Sequence, residues 1–195
     1  MKKSVQSAGK PRRVSQEELE RLGLALLRAL GEDATRPGLV DTPRRFAQAW
    51  REFIEFDAGN TNTAFESMSA DEMVVVSGMR IYSICEHHLL PFSADISIGY
   101  IPNKRVLGLS KFGRIAHKHA HKLQIQERLV QDIADEIQEV TRAADVAVIA
   151  QGEHSCMTMR GIRTRSVMTS SVVRGRFKHD AQTRAEFLMI LGGSK

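Results

Sequence analysis

Met73-Val74-Val75-Val76-Ser77-Gly78-Met79-Arg80-Ile81-Tyr82-Ser83-Ile84-Cys85-Glu86-His87-His88-Leu89-Leu90-Pro91-Phe92 is the stretch on which the reading of this chain turns. Residues 73–84 are dominated by β-branched and other strand-forming side chains, with Gly78 placed as a bulge or bend. After Pro91, Ala94, Ile96, Ile98 and Tyr100 alternate with Asp95, Ser97 and Gly99, the period of a half-buried strand. Between the two strands a thiol, a carboxylate and two imidazoles fall in four consecutive positions, Cys85 to His88. A sheet end, rather than a long loose loop, holds them.

Downstream, Pro102-Asn103-Lys104 forms a turn and Val106–Leu109 a short continuation. Ser110 is placed to cap a helix bearing Phe112, Ile115, Ala116 and His119. A second helix runs from about Gln126, with Leu129, Ile133, Ile137 and Val140 on one stripe. Strands return at Val146–Ala150, around His154–Met159 and at Val167–Arg174. A last helix is capped by Asp180 and carries Phe187, Leu188 and Ile190. This ββααββ order predicts an α+β fold, a mainly antiparallel sheet with helices on one face.

Upstream, Ser15 with Glu18 is a capping-box signature. Leu19, Leu22, Leu26, Leu27 and Leu30 follow at helical spacing, up to Gly31. Thr42 as N-cap, with Pro43 at the first helical position, starts a second helix with Phe46, Trp50, Phe53 and Ile54 on its apolar face. Arg44 and Arg45 sit in its first turn, where the helix dipole disfavours cations, a placement that suits a nearby anion. Residues 57–70 read as a connecting loop. The expected organisation is therefore a disordered basic tail (1–14), an N-terminal helical region (15–56) and a domain that carries the chemistry (57–195).

The formal net charge of +5 suggests nucleic acid at first sight, yet five of the 28 basic residues lie in the first 14 positions. The remaining basic residues balance the 23 acidic ones, so no nucleic-acid surface is expected and the tail reads as solubilising. The chain has no apolar run long enough for a membrane span and no apolar core of a secretory signal. Two cysteines and eight methionines fit a reducing cytoplasm.

Cys85 and His88, three apart across a turn, can face one ion, and Cys156 supplies a third donor from a distant strand. Two thiolates and one imidazole suit Zn2+. No third cysteine closes the set, and a three-ligand site with one open position is the catalytic form of zinc. Read from spacing alone, the cysteines also fit buried inert thiols or a disulfide. His87 and His154 flank the candidate ligands and are suited to acid–base work near neutral pH. His117, His119 and His121 read as solvated helix histidines.

Gly108-Leu109-Ser110-Lys111 ends a strand and opens a helix, with Arg114 one turn on. Backbone N–H groups, a hydroxyl and two cations together make a phosphate-ready corner. Arg160 adds a cation just after Cys156. Gln126 and Glu127 stand at a helix start, where a buried Glu127 carboxylate would accept both N1–H and the 2-amino group of guanine. Adenine would leave it unpaired.

Taken together these stretches resemble GTP cyclohydrolase I. The resemblance is carried by Cys85 to Phe92, Gly99-Tyr100-Ile101-Pro102, Gly108 to Lys111, Leu123 to Leu129, and His154-Ser155-Cys156-Met157 through Met159-Arg160-Gly161. It extends in order over about residues 32–190. It implies the tunnelling fold, in which ββααββ units assemble into barrel-forming rings, usually as a homodecamer with active sites between subunits. It implies conversion of GTP and water to formate and 7,8-dihydroneopterin triphosphate, the first step of folate/pterin biosynthesis. Cys85, His88 and Cys156 would hold zinc, whose water attacks purine C8. His87 would protonate N7, and His154 would assist ring opening and deformylation. Glu127 and Gln126 would bind guanine. Ser110, Lys111, Arg114 and Arg160 would bind the ribose-triphosphate, with Arg45 reaching it from a neighbouring subunit. The chain departs from the family's pattern at Ala94-Asp95, where a glycine and a basic residue are usual, at His121-Lys122 and at Thr169-Ser170-Ser171. None of these is a proposed ligand. Two rivals are another tunnelling-fold enzyme, which would need a nucleophilic cysteine, and a zinc-stabilised nucleic-acid module, for which paired zinc knuckles are missing.

Overall fold

The computed structural model describes residues 14–66 and 71–193. It divides into two compact units at the Asp57–Ala58 junction. The first unit holds α1 (Gln16–Ala29) and α2 (Thr42–Ile54). Ser15 Oγ accepts the Glu18 N–H at 3.2 Å, as its spacing predicts, and Gly31 follows the helix at φ +78°. The start of α2 differs from expectation, because Asp41 is the N-cap residue and Thr42 is already helical. Asp41 draws Arg45 to 3.3 Å and Arg44 to 3.6 Å, a local charge balance for cations in a first turn. Residues 1–13 of the basic tail lie outside the described residues; the Val14 N–H donates to Glu55 Oε1.

The second unit runs β1 (Ala64–Glu66), β2 (Val74–Cys85), β3 (Pro91–Ile101), β4 (Arg105–Leu107), α3 (Leu109–Ala120), β5 (Leu123–Gln124), α4 (Gln126–Thr141), β6 (Asp145–His154), α5 (Ser155–Thr158), β7 (Met168–Val173), α6 (Arg176–His179) and α7 (Ala181–Gly193). The main sheet has the order β5-β2-β3-β6-β7. All its pairs are antiparallel except β2–β5, which is parallel through Ile84↔Leu123 and Cys85↔Gln124. The α+β class is therefore as expected, and the short parallel edge is an addition. Gly78 has φ +72° and the β2–β3 register shifts between Val76 and Met79, which is the bulge its position predicts. Residues 57–70 are more than a loop: Ala64–Glu66 pairs with β4, and 67–70 lie outside the described residues. A three-residue strand is too short for alternation to reveal it.

The core lies between the sheet and the α3–α4 pair. Ile81, Ala94, Ile96, Ile98, Tyr100, Val146, Val148 and Ala150 pack on Phe112, Ile115, Leu129, Ile133 and Ile137. Each of the Val, Ile, Leu and Phe side chains among them contributes on the order of 1.5–3 kcal/mol by leaving water. The helices do not all share that face. Phe177 of α6 and Phe187 of α7 cover Ile101 and Ala147 on the other side. The approach is close enough that a Cβ on Gly99 would lie 2.6 Å from the Phe187 ring. α7 is capped as expected, with Asp180 accepting the Gln182 and Thr183 N–H groups.

Three further expectations are corrected. Gly108, not Ser110, is the N-cap of α3, so Ser110 lies inside the first turn. β6 is one strand ending at His154, and Cys156 sits on the helical turn α5 instead of a strand. The histidines in and just after α3 are half-buried and bonded, not solvated: His119 Nε2 donates to Glu136 Oε2 at 2.6 Å, and His121 Nδ1 meets the His117 carbonyl at 2.8 Å. Burial by itself would raise the Glu136 carboxyl. Hydrogen bonds from His119, Lys118 and Thr61 outweigh it and hold the pKa at about 2. The depressed pKa contributes stability that is complete above the ordinary value of 4.5 and is lost as pH falls toward about 2. Glu136→Gln is expected to flatten the acid-unfolding profile across that window, measured by urea midpoints at stepped pH. Among the described residues no helix is long and apolar enough to cross a membrane.

Candidate active site

The corner after β2 is a tight turn. The Cys85 N–H donates to the Leu90 carbonyl and the Leu89 N–H to the Cys85 carbonyl, both at 2.9 Å, with Leu89 at φ +53°. This brings Cys85 Sγ and His88 Nδ1 to 3.7 Å. β3 carries the chain away from the corner and pairs with β6 through Phe92↔His154, so the end of β6 returns beside it. α5 then presents Cys156. The three donor atoms of Cys85, His88 and Cys156 all lie within 4.8 Å of one another.

Both cysteines are free thiols, which removes the disulfide reading. A tetrahedral zinc, ~2.3 Å from sulfur and ~2.0 Å from nitrogen, spaces its donors about 3.5 Å apart, so this set fits the ion. Burial pushes the Cys156 thiol up, and the neighbouring Cys85 pushes it further. Two thiolates this close need a cation between them.

The two flanking histidines occupy different settings. His87 is exposed, its ring edge-on to His88 with centroids 6.2 Å apart. His154 is stacked on Phe92 at 4.6 Å with an interplanar angle of 7°, and its Nε2 lies 2.9 Å from Gln126 Oε1. Gln126 Nε2 donates to the Ala150 and Met168 carbonyls at 3.0 and 2.9 Å, which fixes its oxygen as the atom facing His154. His154 therefore carries its proton on Nε2 and its lone pair on Nδ1. Burial lowers the His154 pKa, while the charge of Glu127 acts in the opposite sense. The imidazole and that carboxylate are thus within electrostatic reach.

Gln126 is fully buried and committed to protein partners, so its carboxamide is not available to a guanine. Glu127 is exposed, where sequence reasoning expects it buried. A purine would have to supply the desolvation itself. Arg160 is exposed and near enough to Cys156 to favour its thiolate. Ser110 is exposed in the first turn of α3. Lys111 Nζ donates to the Asn60 carbonyl at 2.8 Å, and Arg114 Nη1 to the Ala58 carbonyl at 2.6 Å. Arg45 lies in the other unit, paired with Asp41. Glu86, which the sequence leaves without a role, is ion-paired with Arg128. The bond to Arg128 comes first among the causes that lower the Glu86 pKa. Arg128 stands inside the Gln-Glu-Arg motif, but nothing in the spacing names its partner 42 residues away. At Ala94-Asp95, the acid is satisfied across the sheet by Arg80 at 2.6 Å.

Comparison with known proteins bears on the whole of this arrangement. The GTP cyclohydrolase I family model matches residues 20–192. A Pseudomonas syringae pv. tomato protein named GTP cyclohydrolase 1 2 is 47% identical over 178 residues, covering 89% of this chain and 98% of the relative. A Methylococcus capsulatus protein named GTP cyclohydrolase 1 is 46% identical over 181 residues, covering 89% and 97%. A solved structure, archaeosine synthase QueF-Like in the apo form, is similar over 55% of this chain and 97% of its own at TM-score 0.46 and 18% identity, too slight a likeness to bear on the fold. With a family match over nearly its full length and relatives at this level of identity, the chain belongs to the GTP cyclohydrolase I family of enzymes.

Proposed function

We propose that this enzyme is zinc-dependent and opens the imidazole ring of GTP, releasing C8 as formate and yielding 7,8-dihydroneopterin triphosphate. The observation that carries the reading is the convergence of Cys85, His88 and Cys156, with His87 and His154 beside them. Cys85, His88 and Cys156 would hold the zinc, which when bound would supply Lewis acidity and a water nucleophile near neutral pH. His87, exposed at the lip, donates a proton to N7 of the purine. His154, its Nε2–H held by Gln126, uses Nδ1 to take a proton from the water that adds to the formyl group of the opened ring, and returns it to the amine nitrogen as the C–N bond breaks and formate leaves.

Glu127 accepts the N1–H and 2-amino hydrogens of guanine. Its place in the first turn of α4 keeps the carboxylate in a favourable helix-end field. Gln126 acts behind it as the support of His154, a role that replaces direct contact with the base. Ser110, Lys111, Arg114 and Arg160 bind the ribose-triphosphate. Beyond the bonds to the Asn60 and Ala58 carbonyls, Lys111 and Arg114 keep further N–H donors for phosphate oxygens. We also propose the tunnelling-fold ring, a homo-oligomer of decamer type acting in the cytoplasm, with Arg45 reaching a site on a neighbouring copy.

The test is direct. Zinc-loaded protein is incubated with GTP, and formate is measured together with the fluorescent neopterin obtained after oxidation and dephosphorylation. Both products are expected in equal amounts. Neither product, at full zinc content, overturns the reading.

A further inference from the structure

We propose that Arg128 is a positioning residue, which sets the metal corner by holding Glu86 while its neighbour Gln126 holds His154. The inference rests on the zinc-site reading above. The first turn of α4 carries Gln126, Glu127 and Arg128 in succession, about 100° apart around the helix. Gln126 turns inward to His154. Arg128 turns to the β2 corner, where its Nη2 donates to Glu86 Oε2, and Glu127 is left exposed between them.

The corner needs such a support. It is a short turn with a leucine in the left-handed region, a conformation that persists only when its surroundings impose it. His87 and His88 are both exposed, so packing does little to fix their rings. The turn is tied to the rest of the unit by Glu86, whose N–H donates to the Gln124 carbonyl at 3.1 Å and whose carboxylate meets Arg128. Arg128 is itself held, donating from Nε to Gln124 Oε1 at 2.6 Å and from Nη2 to the Leu123 carbonyl at 3.2 Å. Gln124 is fully buried and donates to Asp132 and to the His119 carbonyl. A rigid chain thus runs from the α3–α4 core to the residue between Cys85 and His87. One helical turn thereby sets the spacing between the metal corner, His154 and the carboxylate proposed for the base.

Removing a partner that orients metal ligands typically lowers metal affinity or turnover about 10–100-fold. Arg128→Ala and Glu86→Ala are each expected to weaken zinc binding about tenfold in a chelator competition. Each is also expected to lower kcat for GTP by about 10–100-fold with KM moving less than about threefold. The double variant is expected to match either single one, because both remove the same link. Arg128→Lys, which keeps the charge but loses the fork to Gln124, is expected to fall between. Circular dichroism and the assembly mass keep fold loss separate from positioning. Wild-type zinc affinity and kcat in folded Arg128→Ala overturn the proposal, as do fully additive effects of the two alanines. Failure of the wild-type protein to bind zinc overturns the zinc-site reading instead, so the two failures are distinguishable.

Discussion

Cys156→Ser is expected to lose its zinc on purification and to drop GTP turnover by more than about 100-fold, beyond the range usual for removing a merely supporting partner. The serine hydroxyl is far more basic than a thiol and does not ionise to become a ligand. Only Cys85 and His88 would then remain, and two donors do not retain zinc against a chelator. The fold is expected to survive, because Cys156 is half-buried on the four-residue helix α5, outside the sheet–helix core. It packs against that core as a partly buried residue and is not one of its buried members. Metal content by elemental analysis, turnover by pterin fluorescence and secondary structure by circular dichroism are the measurements. A variant with full activity and no metal, or with full metal, contradicts the ligand assignment.

Glu127→Gln is expected to raise KM for GTP about 10–100-fold, the worth of one or two hydrogen bonds to a charged acceptor. The amide keeps one acceptor and sets an N–H against a guanine donor. Discrimination should collapse as well. Inosine triphosphate lacks the 2-amino group, so the wild-type preference for GTP over it is expected to shrink toward unity in the variant. Because the side chain is exposed and the change isosteric, stability should move by no more than about 0.5 kcal/mol. Steady-state kinetics with both nucleotides, alongside thermal unfolding, test this. An unchanged KM removes Glu127 from the base site.

The parts of the site legible in sequence were those with short-range causes. Cys85 and His88 are three apart on one turn, and His87 lies beside them. Spacing alone therefore puts them together. The alternation of 91–101 and the stripe of α4 are likewise local, since period 2 and period 3.6 follow from backbone geometry. Side-chain commitments made across the fold were not legible. Gln126 could equally have faced a base; only the return of β6 beside α4 gives it His154 and two carbonyls. His119 on an amphipathic helix looks solvated until α4 brings Glu136 against it.

The sequence by itself determined the donor chemistry, the strand–corner–strand frame and the family pattern, because identity and spacing along the chain are enough to specify them. Cys156, which the sequence names as the third donor, is brought to Cys85 and His88 by the tertiary structure, which alone decided that Gln126 supports a histidine and that Glu86 is held by Arg128. Those three facts join residues 71, 28 and 42 positions apart. A contact at such separation is made by β-sheet register and helix packing, which no local pattern encodes.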